Sequence, residues 1–191
     1  EEKEAVLEIV IQGRGGQGAQ TAGNLLAAAF FAEGRHVQSF ASYGGARRGT
    51  PVSSYIRVDE KPVRVRCDIE RADAILCFDA TLLGPALLAR ADARTLVVVN
   101  SARTRDELAR QFAGLQLIPV DGLAISRRHG LGRIVNSALL GGLARAIGAP
   151  DLPVLEATLT ERSPKLHDAN IAACEAGWQA VDALLRQEAV G

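Results

Sequence analysis

The six residues Gly13-Arg14-Gly15-Gly16-Gln17-Gly18 have types and spacing suited to binding chemistry. They satisfy G-x-G-x-x-G and follow an apolar run, Ala5 to Gln12, that reads as a buried strand. Glycines at this spacing let a ligand or a second backbone approach closely. The free N–H groups opening the next helix can hold an anion. The dinucleotide form of the fingerprint also wants an acid about 20 residues further on, to take a ribose hydroxyl. The second predicted strand ends instead on Gln38-Ser39-Phe40. Three readings stay open: a tight β–α turn packed on a neighbouring subunit, a bound phosphate-bearing ligand, or a dinucleotide.

A second constellation follows at Tyr43-Gly44-Gly45-Ala46-Arg47-Arg48-Gly49-Thr50. Arginine forks grip phosphate or carboxylate through paired hydrogen bonds, and they also serve interface ion pairs. Ligand contact, interface and solvated loop are all consistent with Arg47 and Arg48. Asn136 and Asn170 fall inside predicted helices, where asparagine competes with the backbone for hydrogen bonds. Each implies a specific contact, and a structural hydrogen bond is the simpler one. His36, His129 and His167 are dispersed, which argues against a metal site. No G-x-S-x-G, P-loop or Ser-His-Asp order is present.

The elements that must position these residues alternate. Ala19 to Glu33 predicts a helix closed by Gly34, and His36 to Phe40 a second strand. Val52 to Val58 and Pro62 to Cys67 both alternate and read as a hairpin across Asp59–Lys61. Ala74 to Phe78, Thr95 to Asn100 and Leu115 to Val120 read as further strands, with a helix from Leu82 to Ala91. Helices are expected at Gly132 to Ile147, Leu152 to Leu159 and His167 to Gln187. The expected fold is α/β: a doubly wound, mostly parallel sheet with helices on both faces and a β-hairpin insertion, as one domain over residues 1–191.

Bulk properties narrow the function classes. Lys plus Arg and Asp plus Glu balance at 22 each, so no global field draws the chain to nucleic acid or membrane. Seven basic residues nevertheless lie between Arg47 and Arg71, which leaves room for a local anion site. Cys67, Cys77 and Cys174 are too few and too scattered for an iron–sulfur site, which takes about four thiolates, or for a disulfide framework. The N-terminus, Glu-Glu-Lys-Glu, is unlike a signal peptide, and no run approaches a membrane span. The chain is expected to be cytoplasmic, with reduced thiols.

Together these segments resemble the gamma part of the pyruvate and 2-oxoacid:ferredoxin oxidoreductase family. The likeness runs from Ile9-Val10-Ile11 and Gly13 with Gly15-Gly16-Gln17-Gly18, through Tyr43-Gly44 and Arg47-Arg48-Gly49-Thr50, to Val52-Ser53-Ser54-Tyr55-Ile56-Arg57. It continues through Lys61-Pro62-Val63, Ala72 to Leu76, Asn136 with Leu140 to Ala144, and Lys165 and Asn170 ahead of Gly177. Thr50 departs from it, since many relatives carry glycine there.

The resemblance implies a subunit that is not catalytic alone, in an enzyme that oxidatively decarboxylates a 2-oxoacid, usually to an acyl-coenzyme A. Alpha, beta and delta-type subunits are the implied partners. They would carry thiamine diphosphate, Mg and 4Fe-4S clusters and pass electrons to ferredoxin or an NAD-linked acceptor. This chain would bind no cofactor alone. Coenzyme A at an interface would meet Gly13, Gly15, Gly16, Gln17, Gly18, Arg47, Arg48, Gly49, Thr50 and Asn136. The alternatives are a free-standing NAD-binding oxidoreductase and a purely structural assembly subunit.

Overall fold

A computed structural model describes residues 6–43, 49–163 and 165–189 of the 191-residue chain. The first strand, β1 (Leu7–Arg14), shows why the sheet is sandwiched. Ile9 and Ile11 point into one apolar cluster and Val10, between them, into another. The same alternation recurs where Val98 faces one side and Val97 and Val99 the other. Apolar runs without polar interruption are what a sheet buried on both faces requires.

The chain continues through α1 (Ala19–Ala32), β2 (His36–Tyr43), β3 (Pro51–Asp59) and β4 (Ala74–Cys77). A 3-10 turn at Ala80–Leu82 precedes α2 (Pro85–Leu88), β5 (Leu96–Asn100), α3 (Arg105–Gln111) and β6 (Gln116–Val120). Four helices complete it: α4 (Gly122–Arg128), α5 (Asn136–Ile147), α6 (Leu152–Arg162) and α7 (His167–Glu188). The strand order is β2-β3-β1-β4-β5-β6. β1, β4, β5 and β6 run parallel, and β3 lies antiparallel to both β1 and β2.

One face carries α1, α5 and α7, with α6 packed on them from outside. The other is covered more thinly, by Leu83, Leu87 of α2, Leu108 of α3 and the irregular segment that carries Ile69 and Ala72. α5 and α7 approach with glycine at both contacts. A Cβ on Gly141 would lie 2.0 Å from the Cys174 carbonyl oxygen, and one on Gly177 would lie 1.9 Å from that of Ala138.

Several expectations are corrected. The hairpin is β2 with β3, not residues 52–58 with 62–67. β3 has two edges, and β2 and β1 occupy both, so Pro62–Cys67 cannot pair with it and remains irregular. The helix expected from Leu82 to Ala91 shrinks to the 3-10 turn and the single turn α2, with Gly84 between them. Helix α5 starts at Asn136 rather than Gly132. Gly130 and Gly132 both take positive φ, which holds the approach to the helix in a loop. Helices α3 and α4 were not anticipated. The first carries a readable start signal, because Thr104 and Glu107 form a reciprocal capping box.

Among the described residues, no helix is long and apolar enough to cross a membrane.

Candidate functional site

The glycine segment divides between two elements. Gly13 and Arg14 belong to β1, paired with Val52 and Pro51, and the turn proper is Gly15 to Gly18. Gly16 (φ 89°) and Gly18 (φ 98°) adopt the left-handed conformation that favours glycine. A Cβ on Gly13 would stand 3.1 Å from those of both Ala19 and Phe78, so the absent side chain lets β1, α1 and the end of β4 converge. No side chain caps α1 at Gly18, and no acid lies in its first turn. The first N–H groups of this helix therefore face the turn without a protein carboxylate opposite them.

This convergence opens a cleft of ≈ 710 Å³ beyond the carboxyl ends of β1, β4 and β5. One wall is Gly15 to Gly18. The other comes from the end of α4 and the loop into α5, with Arg127, Arg133, Ile134 and Asn136. The lining carries two arginines and no carboxylate. Among the described residues, neither Arg127 nor Arg133 has an ion-pair partner. Asn100 braces the floor, donating from Nδ2 to the Phe78 carbonyl at 3.2 Å and accepting the Gly122 N–H at 3.0 Å.

Asn136 lies against the turn so closely that a Cβ on Gly18 would meet its Oδ1 at 2.5 Å. That oxygen is shielded from solvent and has no hydrogen-bond donor among the described residues. Asn170 differs. Its Oδ1 accepts from Ser137 Oγ at 2.6 Å, and its Nδ2 donates to the Leu166 carbonyl at 3.0 Å, so it ties α7 to α5 as a structural contact.

Beside the cleft a polar network fastens the turn. Asp79, just past β4, accepts from Gln17 Nε2 at 3.1 Å and Arg14 Nε at 3.2 Å. Arg14 also reaches the Gly49 carbonyl at 3.2 Å, and the Gly15 N–H donates to the Thr50 carbonyl at 2.8 Å. Partial burial works against ionisation at Asp79. The Thr81 hydroxyl and N–H, Gln17 and the Arg14 charge outweigh it and hold its pKa below the usual carboxylate range.

The structure thus brings Gly13, Gly15, Gly16, Gln17, Gly18, Gly49, Thr50 and Asn136 into one neighbourhood. Arg47 and Arg48 lie outside the described residues. Asp79, Arg127 and Arg133 were missed, and Arg14 was noted only as part of the glycine segment. Asp79 had a usable signal, since ligand-side residues of open α/β sheets cluster just beyond the carboxyl ends of parallel strands.

As for metals and clusters, no group of three or more His, Cys, Asp or Glu is placed to hold an ion among the described residues. Cys77 and Cys174 are buried on opposite faces of the sheet, and Cys67 is exposed on the irregular segment. These thiols do not fit a shared cluster.

The fold and cleft define a mixed-sheet α/β domain whose glycine turn opens onto an anion-suited cleft. It departs from a dinucleotide fold in one decisive respect. β3 separates β2 from β1, so the strand end that would supply a ribose-binding acid is two strand spacings from the turn, about 10 Å.

The family model described as pyruvate ferredoxin/flavodoxin oxidoreductase matches residues 8–180. The chain belongs to that family and is of its gamma-subunit type. It is 36% identical over 177 residues to the pyruvate/ketoisovalerate oxidoreductases common subunit gamma of Thermococcus kodakarensis, covering 89% of this chain and 94% of that protein. The crystal structure of pyruvate oxidoreductase subunit PORC from Thermotoga maritima superposes with a TM-score of 0.80 at 30% identity, over 92% of this chain and 97% of that one. The 2-oxoglutarate:ferredoxin oxidoreductase of Magnetococcus marinus, solved with 2-oxoglutarate, coenzyme A and succinyl-CoA bound, shares the fold (TM-score 0.79, 19% identity) over 95% of this chain and 32% of its own.

Proposed function

We propose that this chain works in a cytoplasmic complex with alpha, beta and delta-type subunits, and that its glycine cleft contacts coenzyme A there. The partners hold thiamine diphosphate, Mg and the 4Fe-4S clusters. The 2-oxoacid loses carbon dioxide, its acyl group passes to coenzyme A, and two electrons leave singly to ferredoxin or a similar acceptor. This chain supplies no reacting group. Its part is to bind and orient.

The observation that carries the reading is the pairing of Arg127 and Arg133 across the cleft from an uncapped helix start, with no carboxylate in the lining. Two cations and free N–H groups suit the diphosphate of a coenzyme. The exposed Ile134 offers the same ligand apolar surface. Coenzyme A is bound in the Magnetococcus marinus relative, which supports the choice among phosphate-bearing ligands.

Affinity purification from the native cell, with viologen reduction assayed over a panel of 2-oxoacids with and without coenzyme A, tests the subunit role. Charge reversal at Arg127 and Arg133, and separately at Arg47 and Arg48, tests the contact. The KM for coenzyme A should rise about tenfold or more, the loss expected when a charge-assisted hydrogen bond is removed. Failure of the subunits to assemble would instead make these arginines interface residues.

A further inference from the structure

Asp79 joins two parts of the site that the sequence holds far apart. Its Oδ2 accepts from Gln17 at 3.1 Å and from Arg14 at 3.2 Å. Its Oδ1 accepts from the Thr81 hydroxyl at 2.6 Å and the Thr81 N–H at 3.0 Å. Gln17 Oε1 takes the Arg14 N–H at 2.7 Å and closes the glycine turn on itself. Arg14 directs its remaining donors outward, Nη2 to the Thr81 hydroxyl at 2.8 Å and Nη1 to the Gly49 carbonyl at 3.2 Å. Gly49 and Thr50 directly follow Arg47 and Arg48 in the sequence. One carboxylate therefore orients both a glutamine that shapes the turn and an arginine that holds the Gly49 carbonyl.

Stability alone accounts poorly for this arrangement. The Arg14 and Asp79 side chains remain 37% and 23% exposed, and ion pairs at such exposure contribute little. Asp79 is not part of the cleft lining, whereas Gln17 is. Any effect of Asp79 on a ligand thus passes through Gln17 and Arg14. Binding groups displaced by about 1 Å lose much of their effect, so a brace on a cleft-lining side chain has a functional rationale.

We infer that Asp79 is a positioning residue that fixes Gln17 and the glycine turn at the wall of the cleft, and through them the affinity for the phosphate-bearing acyl acceptor. This rests on the coenzyme A reading above. Asp79→Asn keeps the size of the side chain but places an amide donor against the donors of Gln17 or Thr81. Arg14→Gln breaks the same brace from the other side.

The test is steady-state kinetics of the purified complex carrying each variant, with coenzyme A and the 2-oxoacid varied separately. Both variants should raise the coenzyme A KM about tenfold while the 2-oxoacid KM stays within about twofold and the subunit composition is unchanged. The double variant should be little worse than the worse single one, because both act on one brace. Equal rises in the two KM values, or loss of subunits, would make the network structural and overturn the inference. If Arg127→Glu and Arg133→Glu raise the coenzyme A KM while Asp79→Asn and Arg14→Gln leave it unchanged, the positioning role is wrong and the coenzyme reading stands. If all four leave it unchanged, the coenzyme reading fails and the inference falls with it.

Discussion

Gly18 and Asn136 are packed so that neither position is free to vary alone. The turn glycine has φ 98°, and the carboxamide occupies the space where its Cβ would stand. Gly18→Ala meets two penalties together. The left-handed backbone costs roughly 1–2 kcal/mol with a side chain present, and overpacking against Asn136 adds about 1–3 kcal/mol. Urea unfolding should show a loss of about 2–5 kcal/mol on these terms. Adding Asn136→Ala should recover the steric part and leave the backbone part. Were the double variant no better than Gly18→Ala, backbone strain alone would be responsible.

Arg57 should matter more than its ion pair. Its side chain is 5% exposed, and it donates to Glu8 at 2.8 Å, to the Cys67 carbonyl at 2.7 Å and to the Asp68 carbonyl at 3.3 Å. Through these bonds β3 grips the irregular segment that fails to form a strand. Arg57→Met strands two carbonyls and should cost about 3 kcal/mol. Glu8→Gln keeps an acceptor at a partly exposed site and should cost about 1 kcal/mol or less. Equal losses in denaturant titrations would show that the charge pair, not the grip on the carbonyls, dominates.

The acid limb of stability should carry a signature of Asp79. Its pKa is lowered in the folded chain, so its contribution is fully present above the unfolded-state value of about 3.9 and fades as pH falls through the lower folded value. Asp79→Asn should therefore be less stable than the parent at pH 7, and the gap should narrow below about pH 4. Unfolding midpoints compared at pH 7, 4 and 3 measure this directly. A gap independent of pH would mean that the Asp79 charge contributes nothing.

Much of the fold was legible because it is encoded locally. Apolar runs such as Ile9-Val10-Ile11 and Val97-Val98-Val99 can satisfy a doubly buried strand and little else. Gly13 to Gly18 announced the β–α turn, and the pattern of small and apolar residues announced α1, α5 and α7. Order and spacing of these segments sufficed for the family as well, since they span most of the chain.

Pairing was not local. Pro62–Cys67 has the alternation of a strand, but pairing depends on which edges of β3 are free, and β2 had taken the one that β1 left open. The site obeys the same physics. Arg14 and Asp79 are 65 positions apart, and Asn136 touches Gly18 from a helix whose start two positive-φ glycines delayed. The residue types and the glycine turn were therefore determined by the sequence itself. Which side chains share a wall of the cleft was decided only when the sheet order brought the carboxyl ends of β1, β4 and β5 together, because hydrogen bonds and steric contacts act over a few ångströms of space, whatever the separation along the chain.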